Sequence, residues 1–392
     1  MPPPIAGCLE SAERQDMSKT RIKLGMVGGG PTAFIGAVHR IAMRIDDRFE
    51  LVAGALDVDA ERGRAFAVTL GIAPDRAYDN YQQLIEKEVG RSDRIDAVVI
   101  VTPNFLHFPV AKAALEAGFD VICEKPMTTT LEDAEALERL VETSGRHFFL
   151  THTYTGYPMV RQAREMIAAG EIGKLRRVEV EYLQDWLAAP VENTGAEGAV
   201  WRTDPKKAGA GGAIGDVGTH AWNLAAFVTG EEPTHLLAEL STLVEGRRVD
   251  DDAAILLRYA SGAKGSILAS QVLPGNGNNV SFRIYGDKAG LEWWQEKPEE
   301  LWFTRLGEPR QMLRRNGAGA TGAAIAGSRV PAAHPEGYLE AFANLYRDAA
   351  DLLTGKAIVS AVPTAHDGVS GSKFVEACLK SNAAGSIWTE IG

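Results

Sequence analysis

Apolar and polar residues follow one rhythm in the first third of the chain and another in the rest. Ile22–Val27, Leu51–Leu56, "IDAVVIVTP" and "FDVICEKP" are short runs, apolar almost throughout. Between them, "AFIGAVHRIAMRI", "YDNYQQLIEKE" and "HFPVAKAALEAG" place apolar positions at helical spacing. Continuous apolar strands alternating with helices predict a parallel sheet covered on both faces. Beyond residue 150, "KLRRVEVEYLQDW" alternates apolar and charged positions, which suits a strand with one exposed face. "THLLAELSTLV", "DDAAILLRYASGAKGSILASQVL", "NVSFRIYGDKAGLEWWQ" and "ELWFTRL" extend a strand-rich second half. A length of 392 residues exceeds what one ordinary core serves, so two domains are expected. Residues 1–20 read as a mobile extension, with Met17 an alternative start. "IAGC" within them has the form of a lipoprotein cleavage box. Only "MPPP" precedes it, where a secretory signal has a charged start and an apolar run.

Composition narrows the partners. A net charge of −11 with no basic block suits neither nucleic acid nor an anionic membrane. No segment stays apolar for the roughly 18 residues that spanning a bilayer needs. Cys8, Cys123 and Cys378 are too scattered for a disulfide framework or a zinc site, which fits a reducing, cytoplasmic setting. Asp250-Asp251-Asp252 lacks EF-hand spacing and reads as a solvated turn, so no metal is expected.

Candidate chemistry begins at the first strand, which runs into glycines and then a helix. That succession is the context of a dinucleotide fingerprint. Gly28 permits the tight turn, and Gly30 lets backbone amides approach a pyrophosphate at the helix N-terminus. The spacing is irregular. Gly28-x-Gly30-x-x-Ala33 fits the permissive form, while Gly36 can take the third role after the insertion "PTAFI". The second strand ends in Asp57, whose carboxylate can accept ribose hydroxyls and repel a 2′-phosphate. NAD is thereby favoured over NADP, although Arg62 and Arg64 lie nearby; a helix cap is the plain alternative for Asp57. Thr102-Pro103-Asn104 and Glu124-Lys125-Pro126 both end strands, where ligands of such sheets bind. Lys125 is therefore placed at the mouth expected to hold the nicotinamide. Farther on, glycines at 209, 211, 212, 215 and 218 surround Asp216 and His220. Four apart on a helix, the acid and the histidine share a face, roughly 5–6 Å apart at Cβ. An acid so placed can orient the ring and raise its basicity. A cap or core role is the plain alternative for His220.

In this order, "VTPNFLH", "AALEAG", "VICEKPMTTT" and "GGAIGDVGTH" resemble the glucose–fructose oxidoreductase, inositol dehydrogenase and rhizopine catabolism (Gfo/Idh/MocA) family, from about residue 21 to the C-terminus. The resemblance implies an α/β chain with an N-terminal Rossmann NAD-binding domain over 21–150. It implies a C-terminal α+β domain over 151–392, with a large open, mostly antiparallel sheet that serves substrate binding and oligomerisation. A homo-oligomer, dimer or tetramer, is expected through that sheet, and Trp293, Trp294 and Trp302 suit either the interface or the core. The family further implies NAD-dependent oxidation of CH–OH groups. Cofactor contacts would come from Gly28, Gly30, Ala33, Phe34, Ile35, Asp57, Thr102, Pro103, Asn104, His107, Glu124 and Lys125. Lys125, Asp216 and His220 would be catalytic: His220 as general base, Lys125 against the alkoxide, Asp216 holding a substrate hydroxyl or tuning the lysine.

Tyr154, Asp185, Arg202 and His334 join those three as expected substrate contacts, with Trp201 a stacking surface beside Arg202. The family usually shows Asn-Tyr-Arg where this chain has Thr153-Tyr154-Thr155, so substrate rules do not transfer there. His334 ends a long glycine- and alanine-rich loop and is expected to enter a pocket, its own or a neighbour's. "YLQDW", "WR" and "HPEGY" look most like scyllo-inositol dehydrogenases. The expected substrate is then a cyclic polyol, scyllo- or myo-inositol or a related sugar. A sugar or glycoside 3-dehydrogenase is the second reading, and NAD-dependent glycoside cleavage a third. A dinucleotide sensor without turnover would be expected to lack Lys125 or His220, and both are present.

Overall fold

The computed structural model describes residues 21–194, 197–209 and 211–392. The expected extension over 1–20 and the Trp201 side chain lie outside what is described. The first part comprises β1 (Ile22–Gly28), α1 (Phe34–Ile45), β2 (Phe49–Ala55), α2 (Ala60–Thr69), α3 (Tyr81–Val89), β3 (Ala97–Val101), α4 (His107–Glu116), β4 (Asp120–Cys123), α5 (Leu131–Ser144) and β5 (Phe148–Leu150). The rest holds α6 (Pro158–Ala168), β6 (Leu175–Leu183), α7 (Glu197–Arg202), α8 (Pro205–Ala208), α9 (Thr219–Thr229), β7 (Pro233–Ser241), β8 (Asp252–Tyr259), β9 (Lys264–Ser270), β10 (Asn279–Gly286), β11 (Ala289–Trp294), β12 (Glu300–Arg305), β13 (Gln311–Arg314), α10 (Gly322–Ala326), α11 (Tyr338–Leu353), α12 (Ala365–Ala383) and β14 (Thr389–Glu390).

β1 to β5 form one parallel sheet in the order β2-β1-β3-β4-β5. All five residues of β3 are buried, which is why that strand reads as an unbroken apolar run. β1 has β2 on one side and β3 on the other. Sheet growth reverses there, which opens a crevice above the strands' C-terminal ends. Helices from the end of the chain return to cover this sheet. Phe342, Leu345, Tyr346 and Ala349 of α11 pack with Leu24, Met26, Val38 and Phe49, and Ala365 and Val369 of α12 join the core with Leu137 and Leu150.

The second sheet has nine strands in the order β13-β12-β11-β10-β6-β9-β8-β7-β14, antiparallel apart from β6 beside β9. Its inner face buries Val178, Val180, Ile255, Leu257, Ile267, Phe282 and Ile284 together with residues of α6 and α9. Its outer face carries a charged ladder in which Glu179 and Glu181 pair with Arg177 and Arg283. Ala254, Leu256 and Leu268 are exposed on that face. The period of two divides the tryptophans. Trp293 is fully buried against Tyr157 and Phe282, so it belongs to the core, while Trp294 turns the other way and is half-buried.

The acidic run at 250–252 is not the solvated turn expected from sequence. Asp250 accepts the backbone N–H groups of Gly212 at 2.7 Å and Ile214 at 2.8 Å. Asp251 is buried, accepts from the N–H groups of Leu243 and Val244, and pairs with Arg247 at 3.0 Å. Both carboxylates serve backbone donors that would otherwise be buried unpaired. No helix of the described residues is long and apolar enough to cross a membrane.

Candidate active site

The glycine turn is set by backbone geometry. Gly28 and Gly29 have φ of +80° and +70°, in the left-handed region that glycine enters without penalty. The turn is also crowded. A Cβ on Gly28 would lie 2.7 Å from the Val101 carbonyl oxygen, and one on Gly36 2.5 Å from Gly29 Cα. Gly36 therefore lets α1 settle onto the turn. Ala33 precedes α1 without a side-chain cap, so the first-turn N–H groups remain for a ligand. A Cβ on Gly30 would meet the Asp57 carboxylate at 2.9 Å, which puts turn and strand-end acid side by side. Asp57 accepts from Arg62 Nε and Nη2, each at 2.7 Å, and that guanidinium holds its carboxyl below the usual range. Arg64 is engaged by Asp79 instead. A tight glycine turn, a helix N-terminus without a side-chain cap and an ionised strand-end carboxylate fit a dinucleotide.

Beneath the crevice His107 braces two loops. Its Nδ1 lies 2.7 Å from the Pro126 carbonyl oxygen and its Nε2 2.9 Å from that of Thr102. It is thus a buried support at the start of α4 and does not line the cleft; the resemblance implies a cofactor contact for it. Glu124 is buried as well. It receives Thr151 Oγ1 at 2.6 Å, faces His39 Nε2 at 2.8 Å, and accepts the Lys125 backbone N–H at 3.2 Å. Burial opposes its charge, yet the bonds from His39 and Thr151 and the nearby Lys125 keep its carboxyl below the ordinary range.

The Lys125–Pro126 bond is cis. Lys125 Nζ donates to Asp216 Oδ1 at 2.6 Å and to the Asp216 carbonyl at 3.0 Å. The other Asp216 oxygen accepts Gln271 Nε2 at 2.9 Å and has Arg202 Nε at 3.4 Å. Burial disfavours the carboxylate, but Lys125 and Arg202 outweigh it and hold Asp216 far below its usual range. Asp216 sits in a π-turn, Ile214–Gly218, that leads into α9. Such wide turns inside helices concentrate at functional sites. The side-chain partner that the sequence spacing suggested for Asp216 is not the one observed. His220 turns its Nδ1 to His152 Nδ1 at 3.4 Å and sets its ring edge-on to Tyr154, 4.9 Å between centroids. Burial, then the charge of Lys125, pushes the His220 pKa well below 6.5, so the ring is neutral at ordinary pH rather than poised near it.

These groups face a cleft of about 670 Å³. It brings together Phe34, Ile35, Thr102, Asn104, Glu124, Lys125, Tyr154, Arg202, Asp216 and His220 from the expected set. Asp185 is not among its lining residues. Gln184 and Trp186 line the cleft, while the Asp185 carboxylate, just past the end of β6, accepts Gly275 N–H at 3.1 Å. His334 does not enter the cleft of its own chain either. It is exposed, and Arg315 holds its carbonyl, which fixes the loop end outside. Sequence reasoning missed Thr151, Thr153, Tyr182, Asn278, Gln295, Tyr338 and Phe342. A hydrogen-bonded ring joins three wall residues: Tyr154 donates to Tyr182 at 2.7 Å, Tyr182 to Asn278 at 2.8 Å, and Asn278 back to Tyr154 at 3.2 Å. Tyr182 carried a signal as an inward position of an alternating strand, and Tyr182 and Tyr338 stand in the "YLQDW" and "HPEGY" stretches.

Residues 22–152 match the oxidoreductase family with an NAD-binding Rossmann fold, and residues 160–292 match the GFO/IDH/MocA C-terminal domain. An oxidoreductase of known structure from Sinorhizobium meliloti is 47% identical, with a TM-score of 0.87 over 94% of this chain and 99% of that one. An inositol dehydrogenase homolog from Azotobacter vinelandii, solved with NADH and myo-inositol, is 38% identical, with a TM-score of 0.87 over 95% and 98% of the two chains. The levoglucosan dehydrogenase of Pseudarthrobacter phenanthrenivorans is 30% identical over 71% of this chain and 75% of its own. With the glycine turn, the strand-end acid and both matched domains in place, the chain belongs to the Gfo/Idh/MocA family of NAD-dependent sugar and polyol dehydrogenases.

Proposed function

We propose that this chain oxidises a secondary hydroxyl of a cyclic polyol to the ketone, with scyllo- or myo-inositol or a related sugar as substrate. The observation that carries the proposal is the convergence of Lys125, Asp216 and His220 in one cleft with a wall of hydroxyl and amide groups. NAD, when bound, supplies the hydride acceptor. Gly28, Gly30 and Asp57 would hold its phosphate and ribose end, and Thr102, Asn104 and Glu124 adjoin its nicotinamide end. Neutral His220 takes the hydroxyl proton. Lys125 donates to the same oxygen and stabilises the developing alkoxide, while Asp216 keeps the ammonium aimed. Tyr154, Tyr182, Gln184, Asn278 and Arg202 offer donors and acceptors at several positions, which is what a ring bearing a hydroxyl on most carbons requires.

Likeness to the Azotobacter inositol dehydrogenase homolog supports an inositol. Likeness to levoglucosan dehydrogenase supports the second reading, a sugar or glycoside 3-dehydrogenase. A panel of scyllo-inositol, myo-inositol, D-glucose, a methyl glucoside and levoglucosan, followed by NADH absorbance, separates them. Highest kcat/KM on an inositol is expected. Preference for levoglucosan or the glucoside would replace the first reading with the second, and inactivity on all five would reject both.

The open face of the nine-stranded sheet is proposed to seat a second copy, giving a dimer or tetramer. Leu256 and Leu268, exposed on neighbouring strands, provide its apolar centre. Light scattering of the full chain should give a multiple of 42.1 kDa, and the Leu256→Glu/Leu268→Glu double variant should scatter as a monomer. A monomeric parent chain would refute the interface.

A further inference from the structure

A second cavity of about 270 Å³ is bounded by Pro126–Leu131, the glycine-rich segment and α12. His152 lines this cavity, and His220 lines the active-site cleft; neither lines the other's. The two rings bridge the partition. Their centroids are 5.2 Å apart at an interplanar angle of 82°, and the Nδ1 atoms approach to 3.4 Å. Two lone pairs, or two N–H groups, would repel at that separation. One nitrogen must donate while the other accepts.

We propose that His152 is the second half of the base: it accepts the His220 Nδ1 proton and passes charge from the cleft toward the second cavity. This rests on the reading of His220 as the group that deprotonates the substrate. With Nδ1–H of His220 directed to His152, the lone pair of His220 Nε2 is left for the substrate hydroxyl. In the reaction the substrate O–H bond breaks and a bond forms to His220 Nε2. The His220 Nδ1–H bond breaks and its proton bonds to His152 Nδ1. His152, now an imidazolium, releases its Nε2 proton into the second cavity. The carbon loses hydride with its electron pair to the nicotinamide, so the alcohol is oxidised and the cofactor reduced. After product leaves, the proton held in the second cavity returns to His152 Nε2, the His152 Nδ1 proton returns to His220 Nδ1, and the His220 Nε2 proton passes to water in the open cleft, so both tautomers are restored.

The surroundings favour a transient charge over a stored one. His152 is buried, and burial followed by the charge of Lys125 pushes its pKa down to about 3, while Glu124 pulls the other way. It thus faces Lys125 and Glu124 at the end of β4 and His220 on α9. Across the cavity, α12 presents Asp367 and Glu376, and Thr130 and Ser372 add hydroxyls. A proton leaving His152 enters a space with acceptors, while the cleft is filled by substrate and cofactor.

The test uses two variants of the full chain. His152→Asn retains an oxygen that can accept the His220 N–H but cannot carry a proton onward; His152→Ala retains neither. The ring alcohol found by the panel is oxidised in mixtures of H2O and D2O. We expect kcat of His152→Asn to fall about tenfold to a hundredfold with KM little changed. Rate against deuterium content should be curved for wild type, where two protons move, and straight for the variant. Full activity and an unchanged curve in His152→Asn would reduce His152 to a positioning residue and overturn the relay. Imidazole 15N spectra of the protein alone read the tautomer without turnover. A proton on His220 Nδ1 is expected, and a proton on Nε2 instead overturns the proposal. If no ring alcohol reacts, the substrate reading fails while these spectra still decide the pairing.

Discussion

Lys125→Met is expected to lower kcat by about a thousandfold while NAD affinity stays close to wild type, because the loss falls on the reacting oxygen. Methionine keeps the length and apolar stem of lysine and removes only the donor and its charge. In the structure that donor sits 2.6 Å from Asp216, in the cleft shared with His220. The Gly28–Gly30 turn and Asp57 are on other strands and are untouched. Stability also falls, by up to about 3 kcal/mol, since removing one partner strands a poorly solvated carboxylate. Arg202 and Gln271 remain beside Asp216 and lessen that cost. Adding Asp216→Asn to Lys125→Met should restore stability without restoring rate. Steady-state NADH formation, a fluorescence titration with NAD and urea unfolding separate the three effects. A Lys125→Met enzyme with wild-type kcat would remove the lysine from the proposed chemistry.

His220→Gln is expected to reduce kcat by about a hundredfold to ten-thousandfold, the range for losing a positioned general base. It carries a second, independent consequence for acid stability. His220 and His152 both have pKa values depressed in the folded chain, first by burial and then by Lys125. Such a ring binds its proton more readily once unfolded. Its contribution to stability is therefore whole above the unfolded value near 6.5 and is lost progressively as pH falls toward the folded value. At pH 5 a ring lowered to about 3, as His152 is, lowers stability by about 2 kcal/mol relative to pH 7 or above. His220→Gln removes one of the two depressed rings. Its urea-unfolding free energy should drop less between pH 7 and pH 5 than that of wild type. Equal drops would mean that the buried imidazole is not depressed, and the neutral-base reading would lose its support.

Much of the architecture was legible before any coordinates. Four of the five parallel strands announce themselves because strands buried on both faces are apolar almost throughout, as β3 is. The alternation in β6 announces a sheet with one open face for the same reason in reverse, whereas β8 hides it, because Ala254 and Leu256 on its exposed face are apolar. The glycine turn and the lysine at a strand end are local features, and local backbone requirements leave local marks. The cleft wall is different. Asn278, Gln295 and Phe342 are ordinary polar and aromatic residues in three separate segments, and nothing nearby in the chain distinguishes them.

Where the sequence misled, periodicity was applied past its range. Asp185 is expected in the pocket, but it lies past the end of β6, and its carboxylate accepts the Gly275 N–H outside the cleft lining. Asp216 and His220 were placed together by α-helical spacing, but the segment carrying Asp216 is a π-turn, and the acid turns to Lys125. The sequence by itself determined the parallel nucleotide-binding sheet, the open second sheet, the glycine turn and the identity of the ionisable groups, because burial and backbone strain act on each residue where it stands. Only the tertiary structure decided which of those groups meet. Pairing of Asp216 with Lys125, of His220 with His152, and of Tyr154 with Asn278 joins residues 91, 68 and 124 positions apart, and such contacts depend on how two sheets and their returning helices pack.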